Sequence, residues 1–77
     1  MKDVETLNKL TTTANLLAYI EKVKKEFLEK KNIKLNLQQI KNYITNFILK
    51  LGATQIYIDI TINTIENYYN ENGELKY

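Results

Sequence analysis

The sequence predicts an α+β fold: two antiparallel helices, over about 13–31 and 37–51, followed by a small antiparallel β-sheet or hairpin. Three observations carry this expectation. Apolar residues recur at helical spacing through both helical segments, Thr54–Asn63 alternates in steps of two, and Asn72-Gly73 offers a hairpin turn. The 77 residues make a single small domain. A chain of this length buries only roughly 60% of its unfolded surface, so helix packing or association must supply its stability.

Along the first eleven residues, Val4, Leu7 and Leu10 stand three apart, marking a frayed start or a short extra helix. The β-branched run Thr11-Thr12-Thr13 interrupts that pattern, because such side chains are restricted in a helix. Thr12 or Thr13 suits an N-cap, its hydroxyl taking a free backbone N–H of the next turn. From there Leu16, Ile20, Val23 and Phe27 recur on one helical face. Glu21–Lys25 and Glu26–Lys30 add pairs at i,i+4, each worth roughly 0.2–0.5 kcal/mol. Lys30 and Lys31 favour the last turn, and Asn32 accepts the left-handed conformation that ends it.

The second helix has the clearest signals. Asn36 with Gln39 has the spacing of a capping box, and Leu37, Ile40, Ile44, Phe47 and Leu51 form its apolar face. Gly52 stands where a glycine closes a helix. The intervening Ile33-Lys34-Leu35 is short, which predicts antiparallel packing of the pair.

In the third region Ile56, Ile58, Ile60 and Ile62 alternate with Tyr57, Asp59 and Thr61, the pattern of a half-buried strand. Parity breaks at Asn63-Thr64, which predicts a turn or bulge there. Tyr68 to Leu75 follows as a hairpin about Asn72-Gly73. The core expected on this reading is Leu16, Ile20, Val23, Phe27, Leu37, Ile40, Ile44, Phe47, Leu51, Ile56, Ile58, Ile60 and Ile62.

A second, helical reading uses the same residues. Ile58, Ile62, Ile65 and Tyr69 fall at steps of four, three and four. Over about fifteen residues, Ile58, Ile60, Thr61, Thr64, Ile65 and Tyr68 resemble helix-turn-helix DNA-binding proteins. That family places a small hydroxyl residue after the turn and a Thr-Ile/Val pair in the recognition helix. The resemblance implies an all-α chain with a C-terminal helix-turn-helix acting as a regulator on double-stranded DNA. The chain departs from the pattern at Gln55, where the family prefers Ala, and at Asp59, where it prefers Gly.

Composition bears on function by what is missing. The chain has no His, Cys, Ser, Arg, Trp or Pro. Nucleophilic catalysis usually needs Ser or Cys activated by His, and acid–base work near neutrality most often uses His. A non-enzymatic protein is therefore expected, with no cofactor. No metal is expected either, because Asp59, Glu66, Glu71 and Glu74 lack the ligand density of a calcium loop. Lys, Asn, Ile and Tyr together make 37 positions, an excess that follows AT-rich codons. Short chains of this composition accompany phages and plasmids, so a viral or mobile-element inhibitor or regulator is expected. No apolar stretch approaches the roughly 20 residues of a membrane span, and with no cysteine a cytoplasmic location is expected.

Two surfaces are candidates for binding. Tyr57, Tyr68, Tyr69 and Tyr77 could contact a protein, since tyrosine buries a large area at little rotamer cost. Lys22, Lys24, Lys25, Lys30, Lys31 and Lys34 could contact phosphates if DNA is the target. Charge divides unevenly: residues 1–50 hold 10 Lys and 5 acids, whereas 51–77 hold 1 Lys and 4 acids. The acidic C-terminal third and the absence of Arg count against DNA. The leading expectation is stoichiometric binding of a protein partner, or self-association as a homodimer through an uncovered strand edge.

Overall fold

The computed structural model describes residues 4–76, which form four helices in chain order: α1 (Val4–Leu10), α2 (Thr13–Lys31), α3 (Leu37–Lys50) and α4 (Gln55–Tyr68). No named strand occurs among the described residues; one isolated antiparallel bridge joins Tyr69 to Leu75. The α+β expectation, with its antiparallel sheet and hairpin, is therefore overturned, and the all-helical alternative fits.

The first two expected helices stand where their signals placed them. α1 is the short extra helix, held by its buried Leu7 and Leu10. Thr12 takes the extended N-cap conformation of α2, but its hydroxyl makes no capping bond, contrary to expectation. At the other end Asn32 adopts the left-handed region at φ 55°, and its N–H donates to the Leu28 carbonyl at 3.1 Å. α3 begins with the complete capping box. The Gln39 N–H donates to Asn36 Oδ1 and the Asn36 N–H to Gln39 Oε1, both at 2.9 Å. Its end is closed by Gly52 at φ 94°, with Gly52 N–H on Leu49 and Ala53 N–H on Ile48, the two bonds of a Schellman turn.

α2 and α3 meet through rings. Tyr19 stacks on Phe47 at 4.9 Å and Phe27 meets Tyr43 edge-on at 5.5 Å. Early α2 thus touches late α3, and late α2 the middle of α3, which is the antiparallel sense. Leu16, Ile20 and Val23 of α2 and Ile40, Ile44 and Ile48 of α3 are buried. Leu35, in the connection between them, is buried as well.

α4 forms where the strand was expected, for three reasons. A strand needs a neighbour to take its N–H and C=O groups, and among the described residues no ladder lies beside 55–62. Thr54 caps the helix, its hydroxyl accepting from the Tyr57 N–H at 3.3 Å. Thr61, part of the strand pattern, and Thr64, where that pattern breaks, return their hydroxyls to the preceding turn, Thr61 to the Tyr57 carbonyl at 2.8 Å and Thr64 to that of Ile60 at 2.9 Å. The helical period buries Ile58, Thr61 and Ile65 and turns Ile56 and Ile60 outward. Both had been assigned to the core. The bulge expected at Asn63-Thr64 is likewise continuous helix.

The turn of the helix-turn-helix alternative was placed at Asp59, which lies inside α4; the turn between helices is Leu51–Thr54 instead. Residues 69–76 then fold back along the α2–α3 connection. The Leu37 N–H donates to Glu71 O at 3.1 Å and the Lys76 N–H to Tyr68 O at 2.9 Å. Gly73, at φ 80°, lies so close to the Leu35 carbonyl that a Cβ there would stand 2.1 Å from the oxygen.

Candidate functional site

The tyrosines expected at an interface do not form one surface. Tyr69 is 1% exposed, and its hydroxyl donates to Glu21 Oε2 at 2.7 Å. Tyr57 is half-buried and gives its hydroxyl hydrogen to the Leu7 carbonyl, pinning α1 to α4. Tyr68 is half-buried against the core. Tyr77 lies outside the described residues. Burial raises the hydroxyl pKa of Tyr69, with help from the neighbouring Glu21 carboxylate, and raises that of Tyr57 too. With no sheet among the described residues, the strand edge expected to drive self-association is not found there.

The six candidate lysines are distributed around α2 and its exit. At 3.6 residues per turn, Lys22 and Lys24 point roughly 160° apart. Lys24 pairs with Glu21 at 3.1 Å and lies 5.3 Å from the centre of the Tyr69 ring. Lys30 pairs with Glu26 at 3.9 Å and Lys34 with Glu74 at 3.3 Å. Lys31 sits over the Phe27 ring. Lys22 and Lys25 are exposed and form no ion pair among the described residues. Glu21, Lys24, Lys25, Leu28, Lys34 and Glu74 surround an open groove, but two of its three lysines are already paired to its acids.

A different surface stands out on α4. Ile56 is 73% and Ile60 63% exposed, the two highest values for large hydrophobic side chains among the described residues. They lie one helical turn apart, and Asn63 and Asn67 continue the same stripe. Beside them a cavity of about 200 Å³ opens between α4 and the elbow joining α1 to α2. Leu10, Thr11, Thr13, Leu16, Tyr57, Ile60, Thr61 and Thr64 line it, and none carries a charge at neutral pH. The acids of α4 stand to the side: Asp59 accepts from Gln55 Nε2 at 2.9 Å, and Glu66 pairs with Lys41 at 2.9 Å. α4 has no basic residue.

Such a surface can bury apolar area against a partner; the polar groups it brings to the cavity are threonine hydroxyls and the hydroxyl of Tyr57, which donates to the Leu7 carbonyl. Among the described residues no three His, Cys, Asp or Glu converge on a possible metal position, and no helix is long and apolar enough to cross a membrane. The sequence carried a signal for this face: if Ile58, Ile62, Ile65 and Tyr69 point inward, Ile56 and Ile60 must point out. That signal became legible only once the helical period was chosen over alternation. Compared with protein families, curated proteins and solved structures, the chain gives no significant match.

Proposed function

We propose that the chain is a small non-catalytic binding protein that acts by covering a protein surface with the outward face of α4. The observation that carries this reading is the pair Ile56 and Ile60, 73% and 63% exposed, at the lip of an uncharged groove. Burying a side chain of this kind contributes roughly 1.5–3 kcal/mol, so leaving two of them in water on one face is costly without a partner. The uncharged stripe Ile56, Ile60, Asn63 and Asn67 suits the apolar centre of a protein interface, where charged residues are depleted.

One observation favours a DNA-binding regulator instead. α3 and α4 are joined by the four residues Leu51–Thr54, the connectivity of a helix-turn-helix. In that arrangement α4 would enter the major groove, yet it brings Asp59 and Glu66 and no Lys toward the phosphates.

Photo-crosslinking separates the two. A photoreactive phenylalanine analogue replaces Ile56 in one variant and exposed Asn42 of α3 in another, and both are irradiated in cells of the native host. The protein reading expects adducts to protein from position 56 and none from 42. Adducts to nucleic acid from position 56, with duplex affinity falling steeply with salt, would replace it with the DNA reading.

A further inference from the structure

We infer that the cavity between α4 and the α1–α2 elbow is a binding site for a small, neutral, single-ring molecule that carries a hydroxyl or N–H donor, such as a phenol. The site is a pocket for a free ligand, and it stands whether or not a protein covers the neighbouring isoleucines. Three properties of its walls select that class.

The first is size. An apolar cavity of roughly 150 Å³ takes a benzene ring, whereas pockets for drug-sized ligands start at roughly 300 Å³. At about 200 Å³, this one suits a single substituted ring. The second is charge. No ionised side chain lines the cavity, so a carboxylate or an ammonium group would give up its water with nothing to replace it.

The third is the state of the hydroxyls. Each has one hydrogen to donate and lone pairs with which to accept. Thr11 gives its hydrogen to the Asn8 carbonyl at 2.6 Å, and Tyr57 gives its own to that of Leu7. Thr61 donates to the Tyr57 carbonyl and Thr64 to that of Ile60. Four of the five hydroxyls in the lining are thereby left as acceptors, and the fifth, Thr13, is exposed at the start of α2. A polar atom entering past the rim must therefore bring its own hydrogen. Thr61 is 5% exposed, the sole buried polar residue among the described residues. Its oxygen is the acceptor least open to water, and we assign the ligand's donor to it.

Amide proton–nitrogen spectra of the full labelled chain, titrated with single-ring probes to about 5 mM, test this on a scale that brackets millimolar dissociation. Phenol should shift the amides of Leu10–Thr13 and Thr61–Thr64 and saturate. Toluene, the same shape without a donor, should bind about three- to tenfold more weakly, the worth of one hydrogen bond. Benzoate should not bind. Thr61→Val keeps the shape and removes the acceptor, so phenol should fall to the level of toluene while toluene is unchanged. Thr64→Leu should fill the cavity and abolish both, with the helical circular dichroism retained. The inference is overturned by phenol that never saturates, by toluene or benzoate binding as tightly as phenol, or by a Thr61→Val chain that keeps the preference. Phenol still held by a folded Thr64→Leu chain overturns it too. N-acetyltyrosinamide, the same ring on a peptide backbone, should bind more weakly than phenol, because the cavity has room for the ring alone. Equal or tighter binding would assign the cavity to a partner's side chain and remove the free ligand.

Discussion

Two residues hold the C-terminal tail in place, and each gives a measurable consequence. Gly73 at φ 80° packs against the Leu35 carbonyl, in a conformation that costs an L-residue about 1–2 kcal/mol before any clash. Gly73→Ala must also move the backbone of the α2–α3 connection, so it should destabilise the chain by at least about 2 kcal/mol in urea unfolding. Tyr69 is the other anchor, sealed in the core with its hydroxyl on Glu21. Its pKa is raised well above the ordinary 10, by burial and then by Glu21, and that of Tyr19 is pushed up to about 12, chiefly by burial and then by Tyr43. Below pH 10 both are protonated whether the chain is folded or unfolded. Above it the unfolded chain loses protons that the folded chain keeps, so stability falls as pH rises. Tyr69→Phe should lower stability at neutral pH by about 1.5–3 kcal/mol, the range of a hydrogen bond to a charged group. It should also make the alkaline fall shallower, read from urea midpoints between pH 8 and about 11.5.

At the scale of the element, caps decided what was legible. Asn36, Gln39 and Gly52 carry specific hydrogen-bonding roles, and both ends of α3 are where those residues placed them, to within one residue. Residues 54–62 misled because isoleucines alternating with Tyr57, Asp59 and Thr61 satisfy two periods at once, and local pattern cannot report whether a partner strand exists. The cap at Thr54 and the threonine bonds back into the helix make α4 workable, and burial of Ile58 and Ile65 against the core selects it. The candidate surface went unread for the same reason, since the strand assignment sent Ile56 and Ile60 into the core. Tyr69 was misread in turn, because a tyrosine on a strand can face out whereas one just past α4 faces α2. The caps make a quantitative contrast. Asn36→Ala removes half of a reciprocal pair and should cost about 1 kcal/mol. Thr12→Ala, whose hydroxyl makes no capping bond, should cost less than about 0.5 kcal/mol in the same thermal melts.

At the scale of the molecule, the described residues close four helices over a core of isoleucine, leucine and ring contacts. They still leave two isoleucines of α4 in water. Four of the chain's lysines, Lys24, Lys30, Lys34 and Lys41, pair with Glu21, Glu26, Glu74 and Glu66, and the candidate six spread around α2 and its exit rather than gather on one face. On the reading proposed above, the working surface is the one low in charge. Amide proton–nitrogen spectra of the labelled chain in lysate of its native host, and again with added duplex DNA, test this most directly. The lysate should broaden amides along Gln55–Thr64 and at the Leu10–Thr13 elbow first, and DNA should leave the spectrum unchanged. A spectrum indifferent to the lysate, in which DNA instead moves the amides of Lys22 to Lys34, would contradict it.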